Sequence, residues 1–477
     1  MQTVDLENGF LGRPRWIFPQ MLLLLLVCAA STAHAKNVIL FVGDGMGIST
    51  VTAARIYAGQ LQGLPGEEYD LAFDRFDHLA LIKTYNTDSQ VPDSAGTISA
   101  IMMGEKTRRG VLNIGHAGGR GDCAAALKET RVSLAEMAET RGLATGIVST
   151  ARITHATPAG AYAQSASRDW EDSATLPAAA KQAGCEDIAE QLVYMPEGDG
   201  LDVILGGGRR HFLPDSEADP EYPDKTGDRD DGENLIARWL AGDQQRRYVW
   251  NLAEFEKLTP GAGQILGLFE PSHMQYEADR PDDTGGEPSL ADMTRLAIKQ
   301  LAENKAGYFL MVEGGRIDHA HHFGNASRAL QDTVALSDAV QVAVDLVDLQ
   351  ETLIIVTADH SHTMTISGYP RRGNPILGKV EFLPGQVLPD ATGKPYTTLS
   401  YANGPGFKEN RPNLTKIDTE ALNYQQIASV PMASETHAGE DVAAFAVGVN
   451  AHQVRGVMEQ NELYGVMLEA LFPADGD

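Results

Sequence analysis

Six short stretches of this chain carry residue types that bind metal ions or receive anionic groups, and most of them directly follow an apolar run. The densest is Leu310–His322, LMVEGGRIDHAHH. Tyr308–Val312 is continuously apolar and leads into Glu313, two glycines, Arg316, Asp318, His319, His321 and His322. Carboxylate and imidazole four residues apart are ligands for divalent cations. Asp44 lies between glycines in GDGMG, which does not match the spacing of a dinucleotide-binding turn. Asp359 and His360 are adjacent at the end of another apolar run, and His437 falls in ETHAGED. Thr157 closes the cluster Thr154, His155, Thr157, and Arg168 follows in SASRDW. Ser94, in VPDSAGT, follows an aspartate and opens a run of small residues reaching Met103. A serine at a helix start has free backbone N–H groups and the positive end of the helix dipole beside it, which suits a phosphoryl group. Taken alone, that segment reads more readily as a plain N-cap. Together Asp44, Ser94, Thr157, Glu313, Asp318, His322, Asp359, His360 and His437 give nine oxygen and nitrogen ligands without a thiolate, the donor set of a mixed zinc and magnesium centre.

The elements needed to position these residues are legible as buried strands. Asn37–Val42, Leu79–Lys83, Ala144–Ser149, Leu201–Leu205, Ile265–Phe269, Tyr308–Val312, Thr352–Ala358 and Ala443–Val447 are short apolar runs. Helical patterns cover Ile48–Ala58, Ser133–Arg141, Cys185–Leu192, Ser289–Ala302 and Ala326–Leu346. The alternation predicts an α/β fold, a large and mostly parallel central sheet with helices on both faces, and its ligands would gather at the carboxyl edge of the strands. Asp215–Asp231 reads as an acidic surface loop. Tyr369–Pro431, rich in Gly, Pro and Asn, reads as an inserted subdomain with short strands at Val380–Leu383 and Tyr396–Tyr401.

Composition narrows the partners. Residues 1–35 read as a secretory signal peptide, with a tethered signal anchor as the alternative: Arg13 and Arg15 precede the apolar Met21–Val27, and Ala33-His34-Ala35 offers small residues for cleavage. The mature chain is expected to start at Lys36, and the chain ends without an apolar tail for a lipid anchor. The net charge of −27 argues against nucleic acid and against anionic membrane as partners, and it requires any phosphate site to carry its own positive charge. Cys123 and Cys185, an even pair in an exported chain, are expected to form a disulfide.

In order, GDGMG, PDSAGT, HATPAG, VEGGRIDHAHH, TADHSH and ETHAGED resemble the alkaline phosphatases, and the likeness runs over nearly the whole mature chain. DPEYPD, GLFEP and THAGEDVAAFA are similar to the animal forms, while the missing anchor tail suggests a soluble, exported bacterial enzyme, periplasmic or extracellular. The resemblance implies hydrolysis of small phosphate monoesters through a phosphoserine on Ser94, with Arg168 binding the phosphate. It implies a first Zn2+ on Asp318, His322 and His437, and a second on Asp44, Asp359 and His360. It also implies a Mg2+ on Asp44, Thr157 and Glu313. His155 and His319 stand where the enterobacterial form has Asp and Lys, which leaves open whether magnesium or zinc fills the third site. A peripheral Ca2+ is implied on Glu221, the Phe269 carbonyl, Glu270 and Glu287, the last replacing the family's usual aspartate. A Cys123–Cys185 bond and a homodimer, with the Tyr369–Pro431 crown-type insertion at its interface, complete what the likeness implies.

Three rival readings fit the residues less well. A sulfatase needs a modified Cys or Ser in a C/S-x-P-x-R setting, which Ser94-Ala95-Gly96 lacks, and a nucleotide phosphodiesterase usually offers a threonine. An exported phosphate- or metal-binding protein would not need Ser94 beside a complete ligand set.

Overall fold

The computed structural model describes residues 36–473, residue 262 excepted, so the signal-peptide reading of residues 1–35 lies outside the described residues. Ten strands form one sheet: β1 (Asn37–Gly43), β2 (His78–Lys83), β3 (Ala144–Arg152), β4 (Val203–Gly207), β5 (Arg247–Val249), β6 (Ile265–Leu268), β7 (Tyr308–Gly314), β8 (Thr352–Ala358), β9 (Val442–Gly448) and β10 (Gly456–Glu459). Their order is β10-β2-β9-β8-β1-β7-β3-β4-β6-β5. From β8 to β5 every pairing is parallel, and β9 alone runs antiparallel to its neighbours β2 and β8. The expected mostly parallel sheet is what forms.

The central strands β1, β7 and β8 are buried along nearly their whole length, which is why they read as unbroken apolar runs rather than alternating ones. Val38 to Val42 are fully buried, and each such side chain contributes about 1.5–3 kcal/mol of transfer free energy. Helices cover the sheet: Ile48–Leu61, Leu290–Leu301 and Ala326–Leu346 pack on one another and on β1, β3 and β7, while Ser94–Met103, Leu134–Thr140 and Glu462–Leu471 form a second packed group.

Register does the positioning. Gly43 pairs with Gly314 on one side and with Ala358 on the other, and Ser149 pairs with Glu313. Asp44 and Asp359 therefore leave neighbouring parallel strands at the same level, and Glu313 stands beside them near the end of β7, paired with Val42, at the edge where an open α/β sheet binds ligands.

Several boundaries differ from the sequence reading. Glu313 lies within strand β7, and Arg316–His322 is a helix, so Asp318 and His322 share one helical face. Cys185 precedes the helix Ile188–Val193 instead of opening one. Asp215–Asp231 is not a plain surface loop. Fully buried Arg229 pairs with Asp187 and Asp231, and fully buried Arg209 forks onto Asp219 at 2.7 and 2.8 Å. Buried guanidinium groups need carboxylates, and the acidic residues fold inwards to supply them. Tyr369–Pro431 contributes Leu399–Gly404 and Ala428–Pro431 to a three-stranded sheet with Met364–Ile366, and it carries a small hairpin of Glu381–Leu383 with Gln386–Val387. The Cys123–Cys185 disulfide is formed, with the Cα atoms 6.0 Å apart.

Candidate active site and metal centre

Ser94 opens the helix Ser94–Met103 and is 2% exposed. Asp93 caps that helix by accepting from the Gly96 N–H (3.2 Å), and its other oxygen takes Arg168 Nη1 at 3.3 Å. Asp93 thus ties the guanidinium to the serine's helix, a link the sequence reading missed although an aspartate before a helical run is an N-cap signal. Arg168 Nη2 lies 2.8 Å from His155 Nε2.

Around Ser94 Oγ the second group of ligands closes. His360 Nε2 is 3.2 Å from the hydroxyl, 3.4 Å from Asp44 Oδ1 and 3.3 Å from Asp359 Oδ2. Asp359 Oδ1 is fixed by the N–H groups of Gly45 (3.0 Å) and His360 (2.9 Å). Gly45 has to be glycine: φ is +69°, and a Cβ there would sit 2.3 Å from the His362 ring.

The first group is built on the helix Arg316–His322. Asp318 Oδ1 has His322 Nε2 at 3.3 Å, His437 Nε2 at 3.3 Å and His362 Nε2 at 2.7 Å. Tautomers follow from the partners. His322 Nδ1 faces the Glu435 carbonyl (2.5 Å), and His437 Nδ1 faces the Pro92 carbonyl (2.9 Å). A carbonyl only accepts, so both Nδ1 atoms carry the proton and both Nε2 lone pairs are free for a cation. His362 differs. Its two nitrogens face two carboxylates, Glu435 Oε2 (2.5 Å) and Asp318 Oδ1 (2.7 Å), so both donate and neither can ligate. Burial opposes its charge, but the carboxylates of Glu435 and Asp318 hold His362 up to about 10.

A third group lies on the far side of Asp44, where ligand atoms of Asp44, Glu313 and His155 come within 4.8 Å of one another. Glu313 takes the Ser149 hydroxyl on one oxygen. Its other oxygen, both oxygens of Asp44, the Thr157 hydroxyl and Nδ1 of His155 are buried without a hydrogen-bond partner.

Burial first, then Asp359, Asp318 and Glu313, raises Asp44 well above the usual carboxylate range, and burial with Asp359 and Asp318 takes Glu313 to about 8. Burial and neighbouring imidazoles keep His360 neutral. Four carboxylates crowd together here with several imidazoles, and the buried oxygens of Asp44, Thr157 and one of Glu313 have no partner, an arrangement that cations would satisfy. The residues present therefore fit metal ions at all three positions.

His319 stands beside His155 at 5.5 Å between ring centroids, and His273, which the sequence reading passed over, lies tilted against His319 at 3.9 Å. Farther out, Glu270 and Glu287 gather beside Glu221 of the acidic segment. Glu221 takes Arg209 Nη2 (3.1 Å) and the Gly285 N–H (2.9 Å), while Glu270 takes Tyr222 Oη (3.2 Å) and Gln275 Nε2 (2.7 Å). Phe269, just before Glu270, is buried against Phe255. Asp283, also missed, has both oxygens buried and unpaired, as has one of Glu287. Burial, then Glu221 and Asp283, raises Glu270 to about 7, and burial, then Glu270 and Asp283, raises Glu287 to about 9.

The model of the alkaline phosphatase family matches residues 35–472 of this chain. The chain is 46% identical to a tissue-nonspecific alkaline phosphatase isozyme of Gallus gallus, covering 91% of this chain and 84% of the relative. The corresponding isozyme of Homo sapiens is 44% identical over 92% of this chain and 84% of its own length, and the alkaline phosphatase of Gadus morhua is 43% identical with 91% of each covered. Among solved structures, the alkaline phosphatase of Thermus thermophilus superposes with a TM-score of 0.65 at 24% identity, covering 93% of this chain and 92% of that one. That of the Antarctic bacterium TAB5 gives 0.62 at 22%, covering 92% and 98%. At those identities the two structures speak for the fold.

Proposed function

The chain belongs to the alkaline phosphatase family, and from that premise we propose how its residues divide the work of hydrolysing phosphate monoesters. Metal dependence is typical of the family. Two zinc ions are assigned to the Asp318–His322–His437 group and the Asp44–Asp359–His360 group, because each mixes carboxylate with imidazole. Asp44, Thr157 and Glu313, all oxygen donors, are assigned magnesium. The observation that carries this reading is the set of buried, unpaired oxygens on Asp44, Glu313 and Thr157 beside a buried serine.

When bound, the metals lower the pKa of the serine hydroxyl and polarise the ester oxygens. Ser94 Oγ attacks phosphorus from the end of its helix, and the alcohol departs on the opposite side. Arg168 holds the equatorial oxygens with its fork, aimed by Asp93 and His155. The N–H groups at the helix start add to the positive field that the acidic surface lacks. Water then attacks the phosphoserine in line and returns the hydroxyl. A chiral phosphate monoester tests the sequence of steps. Two displacements give net retention at phosphorus, and inversion would exclude the serine route.

Calcium is assigned to Glu221, Phe269, Glu270 and Glu287, joined by Asp283, whose buried oxygens have no other partner. Export to the periplasm or medium is the reading that suits the disulfide and the apolar N-terminal stretch. Among the described residues no helix is long and apolar enough to cross a membrane. A homodimer is proposed through the Tyr369–Pro431 insertion, where Tyr369, Phe382 and Val430 are exposed.

A further inference from the structure

Glu435 is a buried carboxylate, 1% exposed, that the chemistry above does not use. Its contacts reach the whole first zinc group. Oε1 accepts from the Thr363 N–H (2.7 Å) and hydroxyl (2.6 Å), and Oε2 accepts from His362 Nδ1 (2.5 Å), whose other nitrogen holds Asp318. The Glu435 main chain grips His322 twice, its N–H donating to the His322 carbonyl (2.9 Å) and its carbonyl accepting from His322 Nδ1. Two residues on, His437 lies on a short strand paired antiparallel with His362. One residue thus touches, directly or through one neighbour, the elements that present Asp318, His322 and His437.

We infer that Glu435 is a positioning residue that presets the first zinc site, its side chain acting through His362 on Asp318; this rests on the assignment of zinc to Asp318, His322 and His437. A bare Asp318 would turn towards whichever donor was nearest. With Glu435 behind it, His362 is held as a donor at both nitrogens, so it fixes the carboxylate and stays out of the coordination sphere. A glutamine at position 435 offers one accepting oxygen to three donors, the Thr363 N–H, the Thr363 hydroxyl and His362 Nδ1, so that arrangement cannot be kept. Partners one step behind a metal ligand typically set affinity by 10–100-fold.

The experiment uses the full zinc-loaded protein and measures zinc per chain and its dissociation constant by competition with a chelator. For Glu435→Gln the expected result is about 10–100-fold weaker binding of one of the two zinc ions, the other unchanged. Excess zinc should return kcat to within a few-fold of the parent, with KM for a chromogenic monoester unmoved, which a general loss of structure would not do. Adding Glu435→Gln to His362→Gln should cost nothing beyond His362→Gln alone. Unchanged zinc affinity in Glu435→Gln, or losses that multiply in the double variant, would overturn the inference. Should that variant fail to fold, Glu435→Asp keeps the charge but stops short of His362, and it is read in the same way. A parent protein that holds no tight zinc at all would instead overturn the zinc assignment beneath the inference.

Discussion

At the scale of single residues, the site separates chemistry from binding. Ser94 is 3.2 Å from His360 Nε2, and Arg168 reaches in from a different segment through Asp93. Ser94→Ala should therefore keep fold, metals and phosphate affinity while kcat falls by about a thousandfold or more. Arg168→Ala should leave the serine reactive but raise the inhibition constant for inorganic phosphate and lower kcat/KM by about 10–100-fold, as the loss of a charge-assisted fork does. Single-turnover labelling with a radioactive monoester checks both: label stays on Arg168→Ala and is absent from Ser94→Ala. Were label retained on Ser94→Ala, another nucleophile would have to be found.

Elements show why position within a helix or strand matters. The helix Leu134–Thr140 carries Glu139 near its carboxyl end, 4% exposed and bonded to the Thr145 hydroxyl. Burial first, then Asp202 and Asp199, raises Glu139 to about 8. A carboxyl whose folded pKa is raised favours folding while protonated, and that contribution drains away as pH climbs from about 4.5 through about 8. Glu139→Gln should thus be indistinguishable from the parent in thermal midpoint near pH 4 and more stable than it near pH 9. Equal midpoints at both pH values would remove Glu139 as the cause. The acidic segment around Glu270 and Glu287 supplies a second test. Four carboxylates, Glu221, Glu270, Asp283 and Glu287, are held together there, with the guanidinium of Arg209 on Glu221 and that of Arg280 near Glu287. Millimolar calcium should raise the unfolding midpoint by a few degrees, and Asp283→Asn should abolish the rise without changing zinc content. A midpoint indifferent to calcium would return the segment to a purely structural role.

For the whole molecule, the disulfide closes a loop with a sequence separation of 62 residues, which the chain-entropy argument values at about 4 kcal/mol. Reduction should lower the unfolding midpoint, and thiol titration of denatured, unreduced protein should find neither Cys123 nor Cys185 free. The insertion makes a prediction at the same scale. Tyr369 is 88% exposed and Phe382 62%, apolar surface that a second copy of the chain would cover. Light scattering should give twice the chain mass, and Tyr369→Asp with Phe382→Asp should shift it towards monomer. A parent protein that scatters as a monomer at micromolar concentration would end that proposal.

What the sequence determined by itself was chemistry and class. Buried parallel strands are apolar throughout, so β1, β7 and β8 were visible as runs, and a ligand at the end of such a run could only emerge at one edge of the sheet. Asp44, Ser94, Glu313, Asp318, His322, Asp359, His360 and His437 announced themselves by type and place. The tertiary structure decided which of the chain's many carboxylates and imidazoles meet. His362 and Glu435 come together across 73 residues, and His437 and His322 across 115, on elements no local pattern links. It also decided which imidazole nitrogens keep a free lone pair. His362 and His322 are the same residue type in similar company, and the difference is a carboxylate within 2.7 Å of each His362 nitrogen, against a carbonyl at Nδ1 of His322 and a carboxylate no nearer than 3.3 Å at its Nε2. Hydrogen-bond partners assign tautomers, and tautomers assign roles; that information exists only once the chain has closed around the site.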